Sequence, residues 1–192
     1  MKKILTIIIL SCIVSNVFAN CTQEDVNRLN QKLSTFKTLS VDFLEGNKAG
    51  KMYILKPGMM RIDYEIPEKI SIIIKDGVVT YYDYQLDEMT KIKQDPKFLT
   101  FLAKEKIDFQ RDFDSFACHK KDDKITINLS LTSQEQEEIN LKMHFMQYDL
   151  NKSELFYNNK YKSTLFFKSL RYNIELSANK FNFKDKSFYN IE

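Results

Sequence analysis

The segment from Gly50 to Lys91 constrains the fold of this chain more than any other part of the sequence. Its apolar residues recur at alternate positions in five short runs, and Pro, Gly or polar residues separate these runs. Such alternation is typical of β-strands, in which successive side chains point to opposite faces of a sheet. Asp76-Gly77 lies between two runs, and glycine supplies the positive φ angle that a tight hairpin requires. The segment is therefore predicted to form an antiparallel meander.

The rest of the chain predicts more strands and two or three helices. The range Thr22–Thr38 has the periodicity of an amphipathic helix capped by Thr22, and Asp95–Leu102 has that of a short helix with Pro96 in its first turn. A further helical turn within Ile107–Phe116 is left open. Besides the meander, strands are predicted at Leu39–Phe43, Glu88–Lys93, Phe116–Lys121, Lys124–Leu131, Ile139–Phe145, Leu155–Tyr157, Thr164–Tyr172 and Phe181–Phe183. About ten or eleven strands predict a mainly β (α+β) fold whose antiparallel sheet curves.

The amino terminus has the pattern of a secretory signal peptide. Lys2 and Lys3 precede a short apolar stretch, and Val17-Phe18-Ala19 fits a cleavage site. We expect residues 1–19 to be removed and residues 20–192 to form a single exported domain. Cys21 leaves two alternatives open, which are a disulfide with Cys118 in an oxidising compartment and lipid attachment near the cleavage site.

Composition argues against several functional classes. The formal net charge of +3 becomes +1 without Lys2 and Lys3 (3 − 2), which is too small for a nucleic-acid-binding domain. The chain has only four glycines, and none of their spacings forms a phosphate-binding loop or a nucleophile elbow. His119 and His144 lie in strand patterns without partners at metal-ligand spacing. We therefore expect no enzymatic activity, catalytic residues, metal or cofactor.

The meander also contains an ordered set of motifs that resembles the LolA family of periplasmic outer-membrane lipoprotein carriers. That family has a turn ending in Arg-Pro, then a Phe-Arg-Trp-Asp-Tyr-like strand, and later a hairpin leading into an aromatic strand. The matching residues here are Lys56-Pro57, Met60-Arg61-Ile62-Asp63-Tyr64, Lys75-Asp76-Gly77 and Tyr81-Tyr82-Asp83. The resemblance implies an unclosed β half-barrel, covered by a lid of helices, around a cavity for acyl chains.

The resemblance also implies a role and partners. The chain would bind lipidated outer-membrane lipoproteins in the periplasm as a monomer. It would receive them from an inner-membrane ATP-driven release complex and deliver them to an outer-membrane acceptor of the LolB type, if one is present. Neither the identity of the lipoproteins nor the existence of the acceptor follows from the sequence.

The family's site residues transfer to this chain position by position. Lys56 matches an arginine that holds the lid closed, although it fits a solvent-facing turn lysine equally well. Met60 and Ile62 match cavity-facing aromatic residues, and Tyr64 lies on the same face by alternation. Leu33 matches a cavity-facing leucine of the lid helix, and we expect Leu29, Phe98 and Leu102 to accompany it. Each of these apolar residues also fits a permanent core.

Two other functions remain open. A membrane-tethered receptor or envelope sensor of the LolB type would share the fold and carry a lipidated cysteine near its amino terminus. A hydrolase of lipid or cell-wall material would need a site that none of the motifs above reveals.

Overall fold

The sheet of this protein is a single antiparallel layer that contains every described strand. The computed structural model describes residues 19–92, 100–133 and 136–183. The twelve strands, numbered β1 to β12 in chain order, are Ala19–Asn20, Thr38–Glu45, Lys48–Leu55, Met59–Ile66, Ile70–Lys75, Val78–Asp83, Glu88–Ile92, Ser115–Lys121, Lys124–Thr132, Glu138–Met146, Asp149–Tyr157 and Lys160–Tyr172.

Two meanders join side by side to make this sheet. The order across it is β1-β8-β9-β10-β11-β12-β2-β3-β4-β5-β6-β7, so that pairing of β12 with β2 connects the carboxy-terminal meander to the amino-terminal one. The outer strands β1 and β7 do not pair with each other, and the sheet is therefore not closed into a barrel. The predicted mainly β fold, an unclosed half-barrel with few helices, is confirmed.

The predicted Asp-Gly hairpin is present between β5 and β6. Asp76 has φ 53° and Gly77 has φ 72°, and both lie in the left-handed region that a two-residue hairpin turn of this type requires. Alternation predicted most strands to within a few residues, because one face of each strand is buried and the other is more exposed.

Helix α1, Gln23–Thr35, begins as its sequence predicts. Thr22 and Asp25 form a reciprocal capping box, in which each side chain accepts a hydrogen bond from the other residue's backbone N–H. The helix buries Val26, Leu29 and Leu33 against the sheet. It ends at Thr35 rather than at the predicted Thr38, because Thr38 already pairs with Leu55 as the first residue of β2.

Other helical segments cover the same face of the sheet. Phe101–Ala103 forms a 3-10 turn, and Phe109–Asp112 forms the short helix α2. Of the predicted helix Asp95–Leu102, the part before residue 100 lies outside the described residues, and so does Phe98. We call α1, the 3-10 turn and α2 together the lid. None of the described helices is both long and apolar enough to span a membrane.

The prediction of a strand at Phe181–Phe183 is wrong. Ala178–Phe181 forms a 3-10 turn, and Phe181 is almost completely buried. Two apolar residues flanking a polar one resemble strand alternation, but here Phe181 packs onto the sheet as a single anchor. The two-residue strand β1 was not predicted; it pairs with β8 next to a disulfide between Cys21 and Cys118, whose Cα atoms are 5.4 Å apart.

Candidate functional site

An apolar cavity of about 240 Å³ lies between the two meanders, on the face of the sheet that the lid covers. Strands β2 to β5 supply one wall, and strands β10 to β12 supply the other. Phe101 and Leu102 of the 3-10 turn cover it. The cavity therefore forms where the two halves of an open sheet curve toward each other beneath the lid.

The wall of this cavity suits flexible aliphatic chains. Three methionines, Met52, Met60 and Met143, line it together with leucine, isoleucine and phenylalanine side chains. Methionine is unbranched and polarisable, so that it adapts to ligands of irregular shape. The volume lies below the range of about 300–1,000 Å³ that is usual for ligand pockets. The cavity is therefore smaller than most ligand pockets.

One end of the cavity is polar. The Tyr64 hydroxyl donates a hydrogen bond to the Glu45 carboxylate over 2.7 Å. Burial, followed by this hydrogen bond, raises the pKa of the Tyr64 hydroxyl well above its usual value. The ring of Tyr64 meets that of Phe43 edge to face with centroids 5.2 Å apart. The hydroxyl therefore stays protonated and remains a donor at neutral pH.

Gly50 makes room for this pair of rings. It lies on β3 between Phe43 of β2 and Tyr64 of β4, with which it pairs on either side. A Cβ atom at this position would lie 2.2 Å from the Asp63 carbonyl oxygen and 2.7 Å from the Phe43 ring. Glycine is thus required here for the close approach of backbone and ring, which places Tyr64 at the cavity.

The structure brings four of the seven predicted cavity residues together. Met60, Ile62, Tyr64 and Leu102 all line the cavity. Their grouping follows from alternation along β4, whose even-numbered residues share a face, and from the position of the 3-10 turn above that strand.

The two predicted lid leucines lie elsewhere. Leu29 and Leu33 are buried in the core between α1 and the sheet, with 0% and 3% of their surface exposed, and they are not part of the cavity lining. They reach a ligand only if α1 itself moves.

Lys56 contacts the lid from the turn between β3 and β4. Its ammonium donates a hydrogen bond to the backbone carbonyl of Leu33 in the last turn of α1. It also lies 3.9 Å from the centroid of the Phe36 ring. Burial lowers the pKa of Lys56 to about 8. The side chain thus occupies a position between the sheet and the carboxy-terminal end of α1.

Backbone groups of the lid are tied to one another and to the sheet. The N–H groups of Ile107 and Phe109 donate to the side chains of Ser34 and Asn30 on α1. The Gly58 N–H donates to the Ala103 carbonyl over 2.9 Å. The segment that follows the 3-10 turn is therefore attached to α1, and the turn itself is attached to the sheet.

The amino-terminal end of α1 is anchored by a buried polar cluster. Asp25 is 4% exposed and accepts hydrogen bonds from Lys120 over 2.5 Å and from the Tyr148 hydroxyl over 2.6 Å. Burial alone would raise the pKa of Asp25, but these bonds and those from Thr22 outweigh it and hold the pKa well below its usual range. The disulfide of Cys21 lies next to this cluster.

A comparison with protein families places the chain in a known family. The family model described as "Outer membrane lipoprotein carrier protein LolA" matches residues 34–184. The chain belongs to the LolA family. This is a family of periplasmic carriers without enzymatic activity, and its membership supports a lipoprotein-binding role.

Two relatives show how far the similarity extends. "Uncharacterized protein RP864" of Rickettsia prowazekii (strain Madrid E) is 28% identical over 119 residues, which cover 59% of this chain and 56% of the relative. The "Outer-membrane lipoprotein carrier protein" of Histophilus somni (strain 2336) is 34% identical over 98 residues, which cover 47% of this chain and 48% of that protein. The matches thus span about half the length of these curated relatives.

The opposite face of the sheet carries a network of polar groups that the sequence analysis did not predict. Arg61 and Asp63 are 0% and 2% exposed, and the guanidinium contacts both carboxylate oxygens, at 2.7 and 2.9 Å. Ser71 donates to Asp63, and Arg61 donates to the Lys180 carbonyl over 2.7 Å. Arginine and aspartate two apart on a strand are typical of a solvated face, and the covering segment 177–183, whose Lys180 carbonyl accepts from Arg61, contributes to burying them here.

The histidines do not extend the site in this LolA-family chain. His144 lies within hydrogen-bond distance of Thr126 at 3.2 Å and of Glu154 at 3.4 Å, on the face of the sheet opposite the cavity. Burial lowers its pKa, and Glu154 partly offsets that effect. Within the described ranges, no group of three or more His, Cys, Asp and Glu residues converges in a way that could hold a metal ion.

Proposed function

We propose that this protein is a periplasmic carrier that binds the acyl chains of lipoproteins and takes them from the inner to the outer membrane. The observation that carries the proposal is the apolar cavity beneath the lid. Each methylene that leaves water for such a cavity contributes roughly 0.8 kcal/mol, so that long chains supply a large driving force for binding. An inner-membrane release complex would load the carrier, and an outer-membrane acceptor would unload it.

The attachment of the lid supports a reversible carrier. Its amino-terminal end is fixed by a disulfide and by the Asp25 cluster, whereas its carboxy-terminal end contacts the sheet through Lys56. Because α1 is attached at both ends, by the disulfide and by its connection to β2, the lid can shift on the sheet without detaching. Loading and unloading then remain close to balance, as a carrier without its own energy source requires.

The disulfide also favours a carrier over a tethered receptor of the LolB type. Lipidation of Cys21 would place a thioether at its sulfur, and that sulfur is bonded to Cys118. One sulfur atom cannot hold both bonds. Mass spectrometry of the mature protein from isolated periplasm is expected to find an unlipidated amino terminus at residue 20; a diacylated Cys21 would favour the receptor instead.

Photo-crosslinking tests the proposed function directly. Phe166 and Phe167 are neighbours on β12 with opposite orientations, since Phe167 lines the cavity and is 7% exposed, whereas Phe166 lies on the other face and is 48% exposed. A photoreactive phenylalanine at residue 167 is expected to capture acylated proteins in cells, and the same group at 166 is the matched control. Equal capture at both positions, or capture of unlipidated proteins alone, would contradict the proposal.

A hydrolase is the remaining alternative, and a substitution of His144 addresses it. If the protein turned over acyl esters, the half-buried His144 would be the first residue to test. Substitution of His144 by Gln is expected to leave the capture of acylated proteins at residue 167 unchanged, because His144 faces away from the cavity. If the wild type hydrolyses acyl esters and this substitution abolishes that activity, the hydrolase alternative would be supported.

A further inference from the structure

Glu45 is the one charged side chain that lines the cavity among the described residues. It is the last residue of β2, and alternation along the strand places it on the same face as Leu39, Val41 and Phe43. Those three residues are buried and apolar. Glu45 therefore directs a carboxylate toward the end of a cavity whose other walls are almost entirely apolar.

The carboxylate of Glu45 is only partly satisfied. Its Oε2 accepts the hydrogen bond from Tyr64, and no other hydrogen bond reaches either oxygen from the part of the chain that the structure describes. An ionised carboxylate offers about four acceptor sites. Lys48, the nearest strand partner, places its ammonium 5.6 Å from the Tyr64 ring and does not form an ion pair with Glu45. Acceptor capacity is therefore available at the polar end of the cavity.

A carboxylate beside apolar surface is unfavourable unless a cation or an N–H donor accompanies it. We propose that Glu45 selects chains whose polar end carries an N–H donor, above all a protonated amine, and disfavours chains with an anionic end. For a lipidated protein, this means a lipid attached through the side chain of the first residue, so that the α-amino group stays free and charged. The inference rests on the proposed function, because it assigns the polar end of the same ligand.

The position of Tyr64 strengthens the assignment. Its ring closes one side of the polar end, and its hydroxyl fixes one carboxylate oxygen of Glu45. A ligand ammonium therefore meets a carboxylate that is already oriented, which reduces the entropy lost on binding. The exposed Lys48 at the rim favours an anionic end group on the ligand. The experiment must therefore distinguish an anionic end group from a cationic one.

Three probes of equal chain length separate these possibilities. Dodecylamine, dodecanol and dodecanoate differ only in their end group, and at pH 7 an alkyl ammonium is charged, as the lysine side chain is. Calorimetry with the mature chain, below the solubility limit or micelle concentration of each probe, is expected to show dodecylammonium binding about tenfold more tightly than either of the others, as one charge-assisted hydrogen bond implies.

Substitution of Glu45 by Gln tests the residue itself. E45Q keeps the shape and is expected to weaken dodecylammonium binding about tenfold, while dodecanol affinity changes by less than about twofold. Glu65→Gln is the matched control, because Glu65 pairs with Lys51 and is not part of the cavity lining. It is expected to leave the order of the three probes unchanged.

The outcomes separate the inference from the function on which it rests. Equal affinity for all three probes, or a preference for dodecanoate, would overturn the role of Glu45 and leave chain binding intact. A folded E45Q protein that still prefers dodecylammonium would also overturn the role of Glu45 and leave chain binding intact. Failure of the wild type to bind any dodecyl probe would overturn the carrier function and the inference together.

Discussion

By its sequence resemblance, Lys56 is predicted to match an arginine of the LolA-family pattern, and this difference has a physical consequence. A lysine ammonium is a strongly hydrated point charge, whereas a guanidinium is more weakly hydrated and presents a planar set of five donors. Burial between the sheet and α1 therefore costs lysine more than it would cost arginine. This cost offsets part of what the ammonium gains from its hydrogen bond to the Leu33 carbonyl.

Replacing Lys56 by Arg is expected to hold the lid closed more firmly. A gain of about 1 kcal/mol from extra donors and easier desolvation slows local opening about fivefold. Amide hydrogen exchange in the carboxy-terminal half of α1, from Asn30 to Thr35, measures this opening. The control is Lys51→Arg on the outer face, whose exchange in α1 should match the wild type. Faster exchange in K56R would contradict the view that Lys56 holds the lid closed.

The same substitution gives a pH test. The pKa of Lys56 is about 8 in the folded protein and 10.5 as its ordinary value, so the unfolded chain binds the proton more tightly between these limits. The free energy of unfolding should therefore rise with pH from about 8 to 10.5, as the cost of the buried ammonium disappears. K56R should lack this rise, because arginine does not titrate there. Urea unfolding of both proteins at pH 7 and pH 10 measures the difference; parallel changes would contradict the assignment.

At the scale of elements, the two ends of α1 differ in how they are held. The Cys21–Cys118 disulfide closes a loop across a sequence separation of 97 residues, and Asp25 binds Lys120 and Tyr148 beside it. The opposite end continues through the buried Phe36 directly into β2, and Lys56 binds its last turn from the turn between β3 and β4. Both ends of α1 are therefore attached to the sheet, one by a disulfide and a polar cluster, the other by its connection to β2 and by Lys56.

Removing the disulfide is expected to loosen the amino-terminal end of α1. The variant with both Cys21 and Cys118 changed to Ser should lose about 2–4 kcal/mol of unfolding free energy, because the unfolded chain regains the entropy of a long open loop. Urea unfolding measures the loss, and reduced wild-type protein should behave like the variant. Hydrogen exchange should also become faster at the amino-terminal end of α1. An unchanged unfolding midpoint would show that the bond contributes nothing to stability.

The elements differ in how far their sequence predicts them. The meander and α1 were predicted because one face of each is buried, so that their periodicity is regular, and because capping and turn residues mark their ends. The segment at Phe181 was assigned to the wrong type of structure, since a single buried anchor has no periodicity. The sequence did not decide whether the two cysteines form a disulfide, because a large sequence separation says nothing about distance in space. Leu29 and Leu33 show the same limit: the pattern places them on the buried side of α1 but does not tell core from cavity.

For the whole molecule, strand β4 separates two environments. Met60 and Ile62 face the cavity, whereas Arg61 and Asp63 form a buried ion pair on the other face. The segment 177–183 covers that pair, and its Lys180 carbonyl accepts a hydrogen bond from Arg61. One face of the sheet is thus held rigid by a polar network, while the other is left apolar for a ligand. This division allows stability and binding to vary independently.

The independence of the two faces is testable on β4. Replacing Arg61 by Met leaves the Asp63 carboxylate buried without its cation and should cost about 3–5 kcal/mol of unfolding free energy. The double variant Arg61→Met with Asp63→Leu should recover most of this loss, because an apolar pair needs no compensating charge. Folded protein of both variants should bind dodecanol within about twofold of the wild type, since neither residue lines the cavity. If chain affinity instead falls in step with stability across the three proteins, the outer network shapes the cavity and the two faces of the sheet are coupled.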